Sequence, residues 1–311
     1  NSYGTLTITD SIFTENQART DEAGNGAGIA NDRGVAKVTR CTFSKNTCAD
    51  SGGAIYNTVG ILEVTDSTFS QNTCGENGGA IRSWSGSTAT ISNSTFFENT
   101  VTHNNCSKPS GGAILNYGDV AGDDSTMTII NSTFVGNAVT GTCGWGGGVY
   151  NEFGGTLYVI NSTFSGNYTT RDNGGGGISN NSVLHLQNSI LANSTHGYDC
   201  TTTQSLATNT NNLIEDGSCS PALSGDPLLG PLADNDGSTQ TMALLPGSPA
   251  IDTGDDTICA ASPVNNTSQN GVTRPQGVHC DIGSFEAPVT SPYTFRSIGE
   301  NDGWILESTE T

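Results

Sequence analysis

A repeat constrains this chain more than any other feature. From Gly146 to Asn167 it reads GGGVYNEFGGTLYVINSTFSGN. That is a glycine-rich GG[AG][IV]xN, an alternating apolar run, an Asn-Ser-Thr and a phenylalanine-led FxxN. The unit recurs through the first two-thirds of the chain. Aligned on FxxN, the phenylalanines are Phe13, Phe43, Phe69, Phe96, Phe134 and Phe164, with Leu191 in seventh place, at gaps of 30, 26, 27, 38, 30 and 27 residues. The asparagine three residues on is Asn16, Asn46, Asn72, Asn99, Asn137 and Asn167. The seventh copy departs, with Ser194 there and Asn193 one residue early. The glycine motif runs from GAGIAN at 26–31 to GGGISN at 175–180. A further column lies three residues before each Phe: Asp10, Arg40, Asp66, Asn93, Asn131 and Asn161, then Asn188 before Leu191. A unit this short cannot bury its own apolar face and must stack on copies of itself.

Each copy holds three short segments, each ending at an Asn-type position. The middle one alternates, as in Leu62/Val64, Leu157/Val159 and Leu184/Leu186. Period-two alternation signals a strand with one face inward. Asn and Asp tolerate left-handed backbone and suit the corners. The paired glycines suit a corner needing positive φ or close backbone approach. Three strands and three corners per unit predict an all-β fold, a right-handed three-sided parallel β-helix of about seven regular coils. Coils about 4.8 Å apart place matching residues above one another. The phenylalanines, with Leu191, should form an internal column, and the FxxN asparagines a hydrogen-bonded ladder. Residues 1–197 are read as regular coils and 198–286 as an irregular continuation and C-terminal cap covering the last coil. Residues 287–311 are read as a linker and the start of a further segment. Insertions fall only at corners, notably between Asn99 and Gly111 and at Tyr117–Ser125.

Ten Lys and Arg stand against thirty Asp and Glu, for a net charge of −20. That balance argues against nucleic acid as a partner, which needs a basic face. No run of about 18 apolar residues exists, so direct membrane insertion is not expected. No signal peptide is visible, and the chain reads as a mature or clipped piece.

The nine cysteines follow the coil register. Cys48 and Cys74 each lie five residues after their Phe, so they should stack within disulfide reach. Cys106 and Cys143 share a corner of neighbouring coils. Cys200 with Cys219, and Cys259 with Cys280, are local pairs in the cap. Cys41 is left over, either as a buried free thiol or bonded to chain outside this sequence. Disulfides at this density imply an oxidising, exported location.

A lyase on this scaffold needs clustered carboxylates for calcium beside an Arg or Lys base. A hydrolase needs two carboxyls a few ångströms apart. The charged outward members, Lys37, Glu63 and His185, do not gather into a patch. No catalytic constellation is found, so the chain is not expected to be an enzyme. Asp119, Asp123 and Asp124 form an acidic cluster that could hold Ca2+, the one cofactor the sequence suggests; the plainer reading is a solvated loop. Asp255/Asp256 form a second cluster, and Asp234–Gly237 reads as a turn. Asn93, Asn131 and Asn161 begin sequons that the repeat itself generates.

Alternating GGA[ILV] and FxxN over residues 1–195 resembles the repeats of polymorphic outer-membrane proteins, secreted bacterial β-helical adhesins. The C-terminal part, with LLPGSPAID at 244–252, Arg274-Pro275 and CDIGSFE at 280–286, resembles the choice-of-anchor Q module of bacterial cell-surface β-helix proteins. Asn235-Asp236-Gly237-Ser238-Thr239 departs from that module's usual NGGPT. The resemblance implies a secreted or cell-surface protein and carries over no catalytic residue. The expected function is structural or adhesive: an adhesin, sheath or filament subunit. Its partners would be further copies of itself, other surface components or glycans. A polysaccharide-active lyase or hydrolase is the alternative. A glycan-binding module without turnover, through Trp84 and Trp145, is a third.

Overall fold

The computed structural model describes residues 1–19, 24–102, 110–119, 122–141 and 144–288, with the backbone of two further strands, Tyr293–Ser297 and Trp304–Ser308. The chain winds as a parallel β-solenoid of about seven turns. The only helix among the described residues is Asp256–Ala260. A coil is counted here from its glycine motif to its FxxN.

The alternating segments pair in one eight-stranded parallel sheet from Thr5–Thr9 to Thr208–Thr210. The FxxN segments form a second, from Ile12–Thr14 to Leu213–Ile214. The glycine-motif segments form a seven-stranded sheet, from Ile29–Asp32 to Tyr198–Thr202. To the three expected segments the structure adds a fourth: two-residue strands such as Thr47–Cys48 and Thr73–Cys74, just after each ladder asparagine. They are too short to show a period in the sequence.

Parallel register aligns Phe13, Phe43, Phe69, Phe96, Phe134, Phe164 and Leu191. Successive rings stack at 4.4–4.8 Å and within 5° of parallel. From Phe43 to Phe164 they are fully buried; Phe13 is partly buried. Each strand step therefore places one ring at contact distance on the next.

The asparagine file is saturated. Asn72 Nδ2 donates to Asn99 Oδ1 at 2.9 Å and to Phe43 O at 3.0 Å, and the Asn72 amide N–H donates to the same Asn99 oxygen at 3.0 Å. The pattern repeats from Asn16 through Asn46, Asn99 and Asn137 to Asn167. A buried primary amide with two donors and one carbonyl is thus fully paired within a stack of itself.

These asparagines are not the left-handed corners. The residue before each one is: Glu15, Lys45, Gln71, Glu98, Gly136, Gly166 and Asn193 have φ of 52–65°. In the seventh coil Asn193 therefore occupies the left-handed position, and Ser194 stands where the amide file ends. The column three before Phe is left-handed throughout, from Asp10 to Asn188 at φ of 44–52°. Arg40 breaks its Asn/Asp pattern yet fits, because its guanidinium grips Asp10 in the coil below through two contacts of 2.7 and 2.8 Å.

The glycine pair answers two different needs. Gly52 has φ of 68°, and a Cβ on Gly53 would lie 2.0 Å from Gly79 O in the next coil.

The segment after Ile214 corrects the expected cap. The strands Tyr198–Thr202, Thr208–Thr210 and Leu213–Ile214 do lie on the last regular coil. The rest turns back along the outer side of the FxxN sheet and covers coils seven to four. Asn188 Nδ2 donates to Asp255 O, Ser284 N to Thr163 Oγ1, Asn131 Nδ2 to Thr267 O, and Thr239 Oγ1 to Asn93 O. Thr95, Thr133 and Thr163, outward on their strands, are consequently buried, whereas Ile12 in the first coil is 74% exposed. The outward hydroxyls of the Asn-Ser-Thr motif are the polar handles for this segment.

Its own centre is Arg274, fully buried, donating at 2.7 Å to the carbonyls of Asp281 and Gly283, with Glu286 at 3.7 Å. Burial pushes the guanidinium down to about 10 and raises the Glu286 and Asp281 carboxyls. Arg274 and CDIGSFE thus form one buried unit.

Candidate functional site

Inside the solenoid every position is committed to packing, so recognition must use outward residues. In the glycine-motif sheet these include the x of GG[AG][IV]xN and the residue after its last position. They vary from coil to coil: Tyr56, Arg82, Leu115, Tyr150 and Ser179 in one file; Thr58, Trp84, Tyr117, Glu152 and Asn181 in the other. Across the last four strands of this sheet lies an open cleft of about 740 Å3, lined among others by Tyr117, Trp145, Tyr150, Glu152, Asn181 and Tyr198.

Three features give the cleft its chemistry. Aromatic surface comes first: Trp145 lies 6.3 Å from Tyr150 at 20°, the Arg171 guanidinium sits 3.8 Å over Trp145, and Tyr198 is 49% exposed. Amides and hydroxyls come second. Asn181 donates to Glu152 at 3.3 Å and accepts from Thr203 Oγ1 at 2.7 Å, and Asn180 donates to Thr202 Oγ1 at 3.1 Å. The third is Glu152, the one carboxylate among the described lining residues, whose carboxyl burial raises above its usual range. The Cys200–Cys219 disulfide fixes one end of the cleft.

The other residues singled out in the sequence fall as follows. Cys48–Cys74 bridges adjacent coils at a Cα separation of 4.7 Å, and Cys259–Cys280 ties the Asp256–Ala260 helix to the CDIGSFE stretch within the returning segment. Cys106 and Cys143 lie outside the described residues. Cys41 is free and buried. It occupies a file of serines, Ser67, Ser94, Ser132, Ser162 and Ser189, each accepting a backbone N–H from the coil below and donating to the carbonyl two residues back. The Cys41 thiol points at the equivalent carbonyl, Thr39 O, at 3.3 Å.

The loop of Asp119, Asp123 and Asp124 is closed by backbone, Asp119 N to Asp123 O, and no group of three His, Cys, Asp or Glu that could hold a metal ion is found among the described residues. Asp255 caps the short helix and Asp256 accepts from Cys280 N, so that acidic pair is structural. Asn131 and Asn161 are buried under the returning segment. Of the two tryptophans expected to meet a ligand, Trp145 lines the cleft. Trp84 lies outside it, packed against Arg82 and Tyr56. Tyr117, Tyr150, Tyr198 and Glu152 were not singled out from sequence. The signal for Tyr117, Tyr150 and Glu152 was variation at two outward columns of the motif; Tyr198, paired with Gly175, lies outside those columns.

Two stretches, residues 40–58 and 66–83, match the Chlamydia polymorphic membrane protein (Chlamydia_PMP) repeat. Each runs from the left-handed corner before Phe through FxxN to the end of the next glycine motif. The repeat is polymorphic-membrane-protein-like. Polymorphic-membrane-protein repeats are associated with bacterial surface and outer-membrane proteins, and a cell-surface location is compatible with that likeness. No curated protein and no solved structure matches the chain. No described helix is long and apolar enough to cross a membrane.

Proposed function

We propose that this is a non-catalytic structural or adhesive protein of an exported, cell-surface location. It works as a stiff scaffold that displays a recognition surface to extracellular components or to other copies of itself. The observation that carries this reading is an aromatic- and amide-lined cleft with a single carboxylate among its described lining residues, held on parallel strands tied together by the inward Asn116, Asn151 and Asn180 amides. Disulfides in three places support an oxidising compartment. The Arg274 and CDIGSFE unit is the basis for likening the C-terminal part to a choice-of-anchor module. Antibody labelling of intact native cells tests the location: surface staining removed by external protease is expected, and a signal seen only after lysis would overturn it.

A second reading, a polysaccharide-active enzyme, draws on the raised Glu152 carboxyl, a property that general acids share. Against it, glycoside hydrolysis ordinarily takes two carboxyls roughly 5–10 Å apart, and the described lining residues include one. Incubation with neutral and acidic polysaccharides, with and without Ca2+, separates the readings. Chains of unchanged length are expected, and shortened products lost in Glu152→Gln would establish the enzyme.

A further inference from the structure

We propose that the cleft between Trp145, Tyr150, Glu152 and Tyr198 binds a short run of neutral, hydroxyl-rich glycan and releases it intact. The proposal names a ligand class for the surface protein inferred above and rests on that reading.

A pyranose ring has C–H-bearing faces and a rim of hydroxyls. It needs flat apolar surface beside planar polar groups able to donate and accept. The cleft offers both. Tyr198 presents an exposed ring at one end, and Trp145 with Tyr150 supplies aromatic wall. Between them Asn181, Thr203 and Glu152 make a polar row already ordered by mutual hydrogen bonds. From Tyr117 to Glu152, Asn181 and Thr203 the cleft crosses three strand steps of about 4.8 Å each, long enough for several sugar units in line. Because the floor is parallel sheet, the site is formed before the ligand arrives, and little ordering cost falls on the protein.

Charge selects within the class. The chain carries −20 overall, Glu152 faces the ligand, no Lys or Arg is among the described lining residues, and Arg171 lies over the Trp145 ring. A uronate or sialate would meet repulsion with no cationic partner among the described lining residues, whereas neutral hydroxyls can donate to the Glu152 carboxylate. An extended peptide is the poorer fit. Strand addition needs an open edge; Gly175–Asn180 is paired on both sides, with Val149–Glu152 and with Tyr198–Thr202, and the edge strand Tyr198–Thr202 already gives its Asp199 and Cys200 amides to the Asp216 and Ser218 side chains.

The test is a tryptophan-fluorescence titration of the full chain with the hexasaccharides of cellulose, chitin, mannan and starch, and with hexagalacturonate. Mass spectrometry reads the length of each sugar afterwards. At least one neutral hexasaccharide is expected to bind, about tenfold or more tighter than hexagalacturonate and with its length unchanged. Tyr198→Ala and Trp145→Ala should each weaken it about tenfold at an unaltered melting temperature. Failure of all four neutral probes at millimolar concentration would overturn the proposal, as would binding indifferent to both variants or a preference for hexagalacturonate. With surface labelling of intact cells retained, those results remove the ligand assignment alone. Shortened sugars would instead remove the non-catalytic reading on which it rests.

Discussion

At the scale of single residues, the polar files decide which side chain is tolerated. Asn99 accepts two hydrogen bonds from Asn72 and donates to Phe69 O and Asn137 Oδ1, all in the dry interior. Asn99→Ala strands these partners and should cost roughly 3 kcal/mol in chemical denaturation. Cys41 predicts the opposite. The serine file shows what its position asks for, so Cys41→Ser should leave the denaturation midpoint within about 0.5 kcal/mol of wild type. A large loss would mean that the thiol packs in a way a hydroxyl cannot replace. Glu152 gives a pH signature. Its folded-state pKa is raised above the ordinary 4.5, so the folded chain prefers the protonated carboxyl. That contribution is complete below 4.5 and is lost as pH rises through the raised value. Glu152→Gln keeps an oxygen acceptor for Asn181 and no longer titrates. Its stability relative to wild type should therefore be unchanged at low pH and grow as pH rises through that window, read from melting temperatures across pH.

At the scale of elements, the coil is a bargain between one stack and one close approach. Phe96 is sandwiched between Phe69 and Phe134 at 4.7 and 4.5 Å. Phe96→Ala removes a buried ring and opens the column at its middle, a loss of about 3–5 kcal/mol. Gly53→Ala places a methyl 2.0 Å from Gly79 O and should prevent adjacent coils from closing, read as loss of cooperative unfolding. Both positions were legible in the sequence, since a repeat with fixed inward residues declares its register. The two-residue fourth strand was not, because Thr47–Cys48 and its relatives have no period to read. Nor was the exact corner: the conserved asparagine advertises itself, whereas the left-handed backbone belongs to the variable residue before it, such as Lys45 or Gln71. Side-chain chemistry marked the ladder and concealed the turn.

At the scale of the whole molecule, the solenoid has a covered and an uncovered side. The segment after Ile214 runs back over coils seven to four, anchored on Thr95, Thr133, Thr163 and Asn188. A chain path that reverses direction leaves no periodic trace, which is why sequence suggested only an end cap. The cleft escaped for a related reason. Tyr117, Tyr150 and Tyr198 lie far apart in sequence and meet only because four successive strands stack. All of this depends on register. It is tested most directly by cross-linking in a Cys41→Ser background. Ser44 and Ser70 are register partners on adjacent coils, as Cys48 and Cys74 are. Ser44→Cys with Ser70→Cys should form a disulfide on air oxidation, detected by peptide mass mapping, while Ser44→Cys with Gln71→Cys should not. A bond in the shifted pair, or none in the matched pair, would contradict the stacked solenoid.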